Sequence, residues 1–142
     1  GPYFLMQGAV ADMLSRGAGG SIVNILSVHA LVGSPDLSVY AGTKGALLTL
    51  TKNVAQAHLA DGIRANGITL GWVATEGEDR MQAEVLGKGP DWRAAAARMR
   101  PLGRLLTAEE TARLAVFLLS DMSAPMTGMA IALEQWLAGA PP

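Results

Sequence analysis

Ser27, Tyr40 and Lys44 are the residues whose types and spacing are fitted for chemistry. Ser27 closes the apolar run Ser21–Ser27, and Tyr40 and Lys44 stand four apart after a Gly33-Ser34-Pro35-Asp36 loop. On a helix, residues i and i+4 share one face, roughly 6 Å apart along the axis. A cation at that range favours a phenolate, so it lowers a tyrosine pKa from its free value of about 10. A phenol so placed works as an acid or base near neutral pH. The same residues also have plainer readings. Tyr-x-x-x-Lys is the spacing of an ordinary helix-surface pair, and a serine ending a strand is commonly a turn residue.

The elements that must position these residues follow from local pattern. Pro2 suits the first position of a helix, Leu5, Met6, Ala9, Met13 and Leu14 recur at helical spacing, and Gly17, Gly19 and Gly20 end it, which predicts a helix over Pro2–Ser15. Ser21–Ser27 is β-branched and apolar between turn signals, as a buried parallel strand requires. A long helix is expected from about Val39 to Leu59, stopped by Asp61-Gly62, and a second strand over Ile63–Leu70. The stretch from Gly71 to Leu106 is long for a connection, so a functional lid is expected at about 76–106, with short helices near Asp79–Leu86 and Asp91–Met99. Thr107-Ala108-Glu109-Glu110 has the form of a capping box and opens a helix to Leu119. Met129–Leu133 reads as a third strand, and Ala138–Pro142 as a frayed tail. Helices alternating with strands predict right-handed crossovers and a parallel α/β sheet in one domain spanning residues 1–142.

Bulk properties exclude several classes of function. A formal net charge of −1 offers no field for nucleic acid or anionic lipid. The count of 0 cysteines removes disulfides, thiolate catalysis and cysteine-type zinc sites. His29 and His58 lie far apart without metal-ligand spacing. No run approaches the ~18 apolar residues of a membrane span, and no basic stretch precedes the first apolar one as in a signal peptide, so the expected compartment is the cytoplasm.

In order along the chain, Gly19-Gly20-Ser21-Ile22-Val23-Asn24-Ile25-Leu26-Ser27, Tyr40-Ala41-Gly42-Thr43-Lys44, the Ile63–Glu76 segment with Gly71, Val73 and Thr75, Pro101-Leu102-Gly103-Arg104 with Thr107-Ala108-Glu109-Glu110, and Ser120-Asp121 with Thr127-Gly128 resemble the C-terminal half of a short-chain dehydrogenase/reductase. The resemblance implies the C-terminal part of a Rossmann-like, doubly wound parallel sheet, with about three strands, about three main helices and a lid. It implies hydride transfer between NAD or NADP and a small-molecule alcohol or ketone. Tyr40 would be the proton donor or base. Lys44 would lower the Tyr40 pKa and bind the nicotinamide ribose, and Ser27 would hold the substrate oxygen. Val73 and Thr75 would meet the carboxamide, with Gly71 allowing a close backbone approach. Thr75 reads equally well as a helix N-cap, and Asn66 better as a structural side chain than as a catalyst. His29 is a candidate lining residue of the substrate pocket and equally a plain loop histidine. Trp72 and Trp92 fit packing better than substrate cover.

The family's Gly-rich pyrophosphate turn has no counterpart here, since Gly17-Ala18-Gly19-Gly20 precedes a strand rather than a helix. The resemblance therefore implies that about the first hundred residues of a typical member are not in this sequence. Weak or no activity, and doubtful cofactor binding, are expected of the chain alone. The other reading is a non-catalytic relic or an oligomerising interaction module. In family order the Ser21–Ser27 strand would be an uncovered edge. The helices Pro2–Ser15 and Val39–Leu59 resemble the pair that forms the family's dimer interface, so a homo-oligomer, dimer or tetramer, is expected.

Overall fold

The computed structural model describes residues 1–33 and 35–136, so the expected tail at Ala138–Pro142 lies outside the described residues. The order is α1 (Pro2–Arg16), β1 (Gly20–Ile25), α2 (Ser38–Ala57), β2 (Ile63–Leu70), α3 (Glu76–Asp79), α4 (Trp92–Arg98), α5 (Ala108–Leu119) and β3 (Ala130–Leu133). The sheet is wholly parallel in the order β1-β2-β3, with Ile25 opposite Ile68 and Leu70 opposite Leu133.

β2 is the central strand. Ile63, Ala65, Asn66, Ile68 and Thr69 are all at most 1% exposed, so both faces of the strand are buried, its polar side chains Asn66 and Thr69 included. On one side Leu26, Met6 of α1 and Leu47 of α2 form a core cluster with Ile22, Leu48, Leu50 and Val54. A buried polar tie runs through it. Asn24 Nδ2 donates to Thr51 Oγ1 at 2.9 Å, and Thr51 Oγ1 donates to the Leu47 carbonyl at 2.7 Å. The Asn24 amide and the Thr51 hydroxyl both find acceptors, so the tie fixes α2 against β1.

β1 and β2 start level because two glycine turns approach closely. A Cβ on Gly19, whose φ is +66°, would meet the Gly62 carbonyl oxygen at 2.6 Å. Gly62 itself has φ +68°, and its carbonyl accepts from the Gly20 N–H at 3.3 Å. At the far end of α5, Arg64 of β2 donates to the Ser120 carbonyl at 2.9 Å and to Ser123 Oγ at 2.8 Å, so a side chain of the central strand caps the helix.

The boundaries differ from expectation in small, explicable ways. β1 ends at Ile25, although Leu26 still donates to the Ile68 carbonyl at 2.8 Å. Ser27 then caps a single 3₁₀ turn, Val28–Ala30. The helix expected near Asp79–Leu86 is α3 followed by a π-helical turn, Arg80–Val85. α2 stops at Ala57, and His58 is its C-cap, with Nδ1 at 2.8 Å from Asp61 Oδ2.

The capping box at the start of α5 is complete. Thr107 Oγ1 accepts from the Glu110 N–H at 3.3 Å, and Glu110 Oε2 accepts from the Thr107 N–H at 2.8 Å. Glu110 also receives the Arg104 guanidinium, at 2.7 and 3.0 Å. The Arg104 hydrogen bonds, followed by the Thr107 N–H, bring the Glu110 carboxyl down from 4.5 to about 2. A depressed carboxyl contributes stability that is complete above the unfolded value and lost as pH falls through the folded one. The difference in thermal midpoint between the wild type and Glu110→Gln should therefore be constant above about pH 5 and shrink between about pH 4.5 and 2. A difference independent of pH across that window would show that the carboxylate is not what stabilises this end of α5.

Candidate active site

The three residues first singled out are placed by two elements. Ser27 follows β1 at the carboxyl end of the sheet and is buried, 5% exposed. Its Oγ accepts from the His29 N–H at 3.2 Å. That leaves the hydroxyl proton free to be donated elsewhere. Tyr40 and Lys44 lie in the first turns of α2, on the face that returns over the end of β1.

Lys44 Nζ donates to the carbonyl of Ile25, the last residue of β1, at 2.7 Å. This bond carries the ammonium across from the helix to the strand end and holds it 5.8 Å from the centre of the Tyr40 ring. On the other side, the His29 ring meets Tyr40 edge to face, with centres 6.4 Å apart and planes at 73°. Ser27, His29, Tyr40 and Lys44 therefore form one cluster. Tyr40 remains 43% exposed, so its phenol is open to a ligand.

Gly71, Val73 and Thr75 follow β2, the neighbour of β1, at the same end of the sheet. Val73 pairs with Leu106 in a short parallel bridge. The Leu106 N–H donates to the Trp72 carbonyl at 3.0 Å, and the Ala74 N–H donates to the Leu106 carbonyl at 2.8 Å. In a parallel bridge of this kind the central residue turns its own N–H and C=O to the opposite side. Neither group of Val73 has a partner among the described residues. A free donor and acceptor on one residue are complementary to a primary carboxamide, which carries both N–H donors and a C=O acceptor. Thr75 is the N-cap of α3, its Oγ1 accepting from the Glu78 N–H at 3.2 Å.

Gly71 has a neighbour that the sequence reading did not assign. A Cβ at Gly71 would meet the carboxylate of Glu134, just beyond β3, and the flexible Glu134 side chain would have to move aside for it. The Ile25 carbonyl was also unassigned, because backbone acceptors carry no sequence signal.

The lid has a core of its own. Trp92, Ala96 and Leu105 are buried against Trp72, Ala74 and Ala83. The two indole rings pack 5.7 Å apart, Trp72 Nε1 donating to Glu78 at 2.8 Å and Trp92 Nε1 to Asp79 at 3.1 Å. Asp79 also accepts the forked guanidinium of Arg93, at 2.5 and 2.6 Å. Trp92 and Arg93 are thus occupied within the lid, whereas Met81, Leu86 and Met99 are exposed. Among the described residues no group of three or more His, Cys, Asp or Glu side chains is arranged for a metal, and no helix is long and apolar enough to cross a membrane. Asn66, fully buried, donates to the Met126 carbonyl at 2.9 Å and accepts from the Met129 N–H at 3.1 Å, which ties β2 to the turn before β3.

Comparison with known proteins agrees with this layout. The chain belongs to the short-chain dehydrogenase/reductase family, and a family model described as enoyl-(acyl carrier protein) reductase matches residues 1–135. It is 37% identical over 136 residues to 2-(S)-hydroxypropyl-CoM dehydrogenase 3 of Xanthobacter autotrophicus, covering 94% of this chain and 52% of that protein. It is also 37% identical over 136 residues to the inactive 2-(S)-hydroxypropyl-CoM dehydrogenase 2 of the same organism, covering 94% of this chain and 57% of the relative. Among solved structures, a gluconate 5-dehydrogenase from Burkholderia cenocepacia in complex with NADP and tartrate superposes with a TM-score of 0.79 at 30% identity, over 95% of this chain and 51% of its own. The chain spans about half the length of the curated relatives it matches. Likeness at this level thus extends to a relative named as inactive.

Proposed function

We propose that this chain carries the proton-transfer site of an oxidoreductase that moves hydride between NAD(P) and an alcohol or carbonyl substrate. The observation that supports this best is the bond from Lys44 Nζ to the Ile25 carbonyl, which holds an ammonium beside the Tyr40 ring. A bound nicotinamide would supply or accept the hydride. Val73 would meet its carboxamide through the unpaired N–H and C=O, Thr75 through its hydroxyl and Gly71 by close backbone approach. Lys44 would turn its remaining N–H groups to the ribose.

The chain's own residues handle the proton. In the direction of reduction the Tyr40 O–H gives its proton to the carbonyl oxygen, and the phenolate left behind is stabilised by the ammonium of Lys44. Ser27 donates its hydroxyl proton to the same substrate oxygen while its Oγ accepts from the His29 N–H. Oxidation of an alcohol runs these steps backwards, with Tyr40 as the base. His29, edge-on to Tyr40, lines the substrate side. Tyr40→Phe keeps the ring and removes the acid, so turnover of a secondary alcohol with NAD(P) should fall on the order of 10²–10⁴-fold with no loss of thermal stability. Turnover equal to wild type would overturn the assignment.

The same reading includes a homo-oligomer, dimer or tetramer, in the cytoplasm. It is supported by an apolar groove between α1 and α2, lined by Tyr3, Met6, Val10, Leu14, Leu50 and Val54, and by Phe4 and Leu5, which are 71% and 75% exposed. Sedimentation at micromolar concentration should give a dimer or larger species. A single monomeric species would contradict this part of the proposal.

A further inference from the structure

We propose that Gln135 is a positioning residue for the cofactor contact at Val73. Its side-chain amide latches the returning end of the lid to the end of β3, and so holds Leu106, the residue bridged to Val73, in place. This rests on the proposed contact between Val73 and the nicotinamide carboxamide and names what sets its geometry.

The lid returns to the sheet through residues 102–106, where the chain turns at Gly103, φ +65°. Gln135, just beyond β3, reaches both sides of that turn. Its Oε1 accepts from the Leu102 N–H at 3.0 Å, and its Nε2 donates to the Arg104 carbonyl at 2.7 Å. A side-chain amide carries acceptor and donor in one rigid plane, so the two bonds set the turn and its distance from β3 together. Gln135 is itself anchored. Its N–H donates to Glu134 Oε1 at 2.5 Å, and the carbonyl of Leu133, the last residue of β3, accepts from the Gly71 N–H at 2.9 Å.

No other group does this work. Among the described residues the Leu102 N–H and the Arg104 carbonyl have no second partner. The Arg104 guanidinium is turned elsewhere, onto Glu110 and the Leu105 carbonyl. Past Arg104 the segment is fixed by burial, with Leu105 6% and Leu106 4% exposed. Leu106 then makes the two bonds, to the Trp72 carbonyl and from the Ala74 N–H, that flank Val73 and leave its own N–H and C=O free. The grip on Arg104 thus lies one residue short of the buried pair that ends in the bridge. A restraint so close sets where Leu106 sits, and with it where Val73 presents its free groups.

The test uses Gln135→Met, which keeps the length of the side chain and removes both bonds. In the free protein, amide hydrogen exchange at Leu102 should speed up at least about tenfold, and at Leu106 by a smaller factor, with Gly71 unchanged. The Val73 amide resonance should move. NADH or NADPH, followed by nicotinamide fluorescence, should bind roughly three- to tenfold more weakly, the range of one hydrogen bond. Gln135→Glu keeps an acceptor for Leu102 and lacks the donor for Arg104, so it should slow Leu102 exchange again while cofactor binding stays weak. If Gln135→Met leaves Leu102 exchange or cofactor affinity as in the wild type, or speeds Gly71 as much as Leu102, this inference fails and the Val73 contact stands. If neither dinucleotide binds the wild type, or the wild-type Val73 amide does not respond to the one that binds, the Val73 contact fails and this inference falls with it.

Discussion

The burial of β2 on both faces is the constraint on which the rest of the structure depends. A parallel strand with Ile63, Ala65, Asn66, Ile68 and Thr69 out of contact with water needs a strand on each edge and helices over its faces. β1 and β3 supply the edges, while α2 and α5 pack against it. Its polar side chains are used to fasten other parts: Asn66 holds the turn before β3, and Arg64 holds the end of α5. The strand order also leaves β1 without a neighbour on its outer side among the described residues.

Parallel strands in register end on the same edge of the sheet, and loops leaving that edge converge. β1 delivers Ser27 and the Ile25 carbonyl, β2 delivers Gly71, Val73 and Thr75, and α2 returns with Tyr40 and Lys44. The bond from Lys44 to Ile25 is what turns a helix pair into a site, because it fixes the ammonium on the strand side of the phenol. The bridge between Val73 and Leu106 acts in the same way on the lid, engaging the groups that flank Val73 and leaving its own free. The proposed cofactor and substrate contacts thus derive from ordinary backbone geometry at one edge of one sheet.

Much of this was legible in the sequence, and what was not has identifiable causes. β2 was expected over the residues it occupies, Ile63–Leu70, a segment set between the Asp61-Gly62 stop and Gly71. The capping box at Thr107 was legible because a cap is a local, side-chain-encoded structure. The end of β1 was placed two residues late, since Leu26 and Ser27 continue the pattern while the backbone turns into a 3₁₀ cap. The π-helical turn at Arg80–Val85 has no sequence signature distinct from a helix. Of the site, the spacing of Tyr40 and Lys44 was evident. The partner of Lys44 was not, because it is a main-chain carbonyl, and neither was the carboxylate of Glu134 against Gly71, because that contact joins two strand ends distant in sequence.

The central claim is that Lys44, held by Ile25, joins the cofactor to the phenol. Titration of nicotinamide fluorescence on the protein and on Lys44→Met tests it directly. The account predicts that the variant binds nicotinamide cofactor at least about tenfold more weakly than the wild type, the equivalent of one charge-assisted hydrogen bond. Equal binding by the two proteins would contradict it.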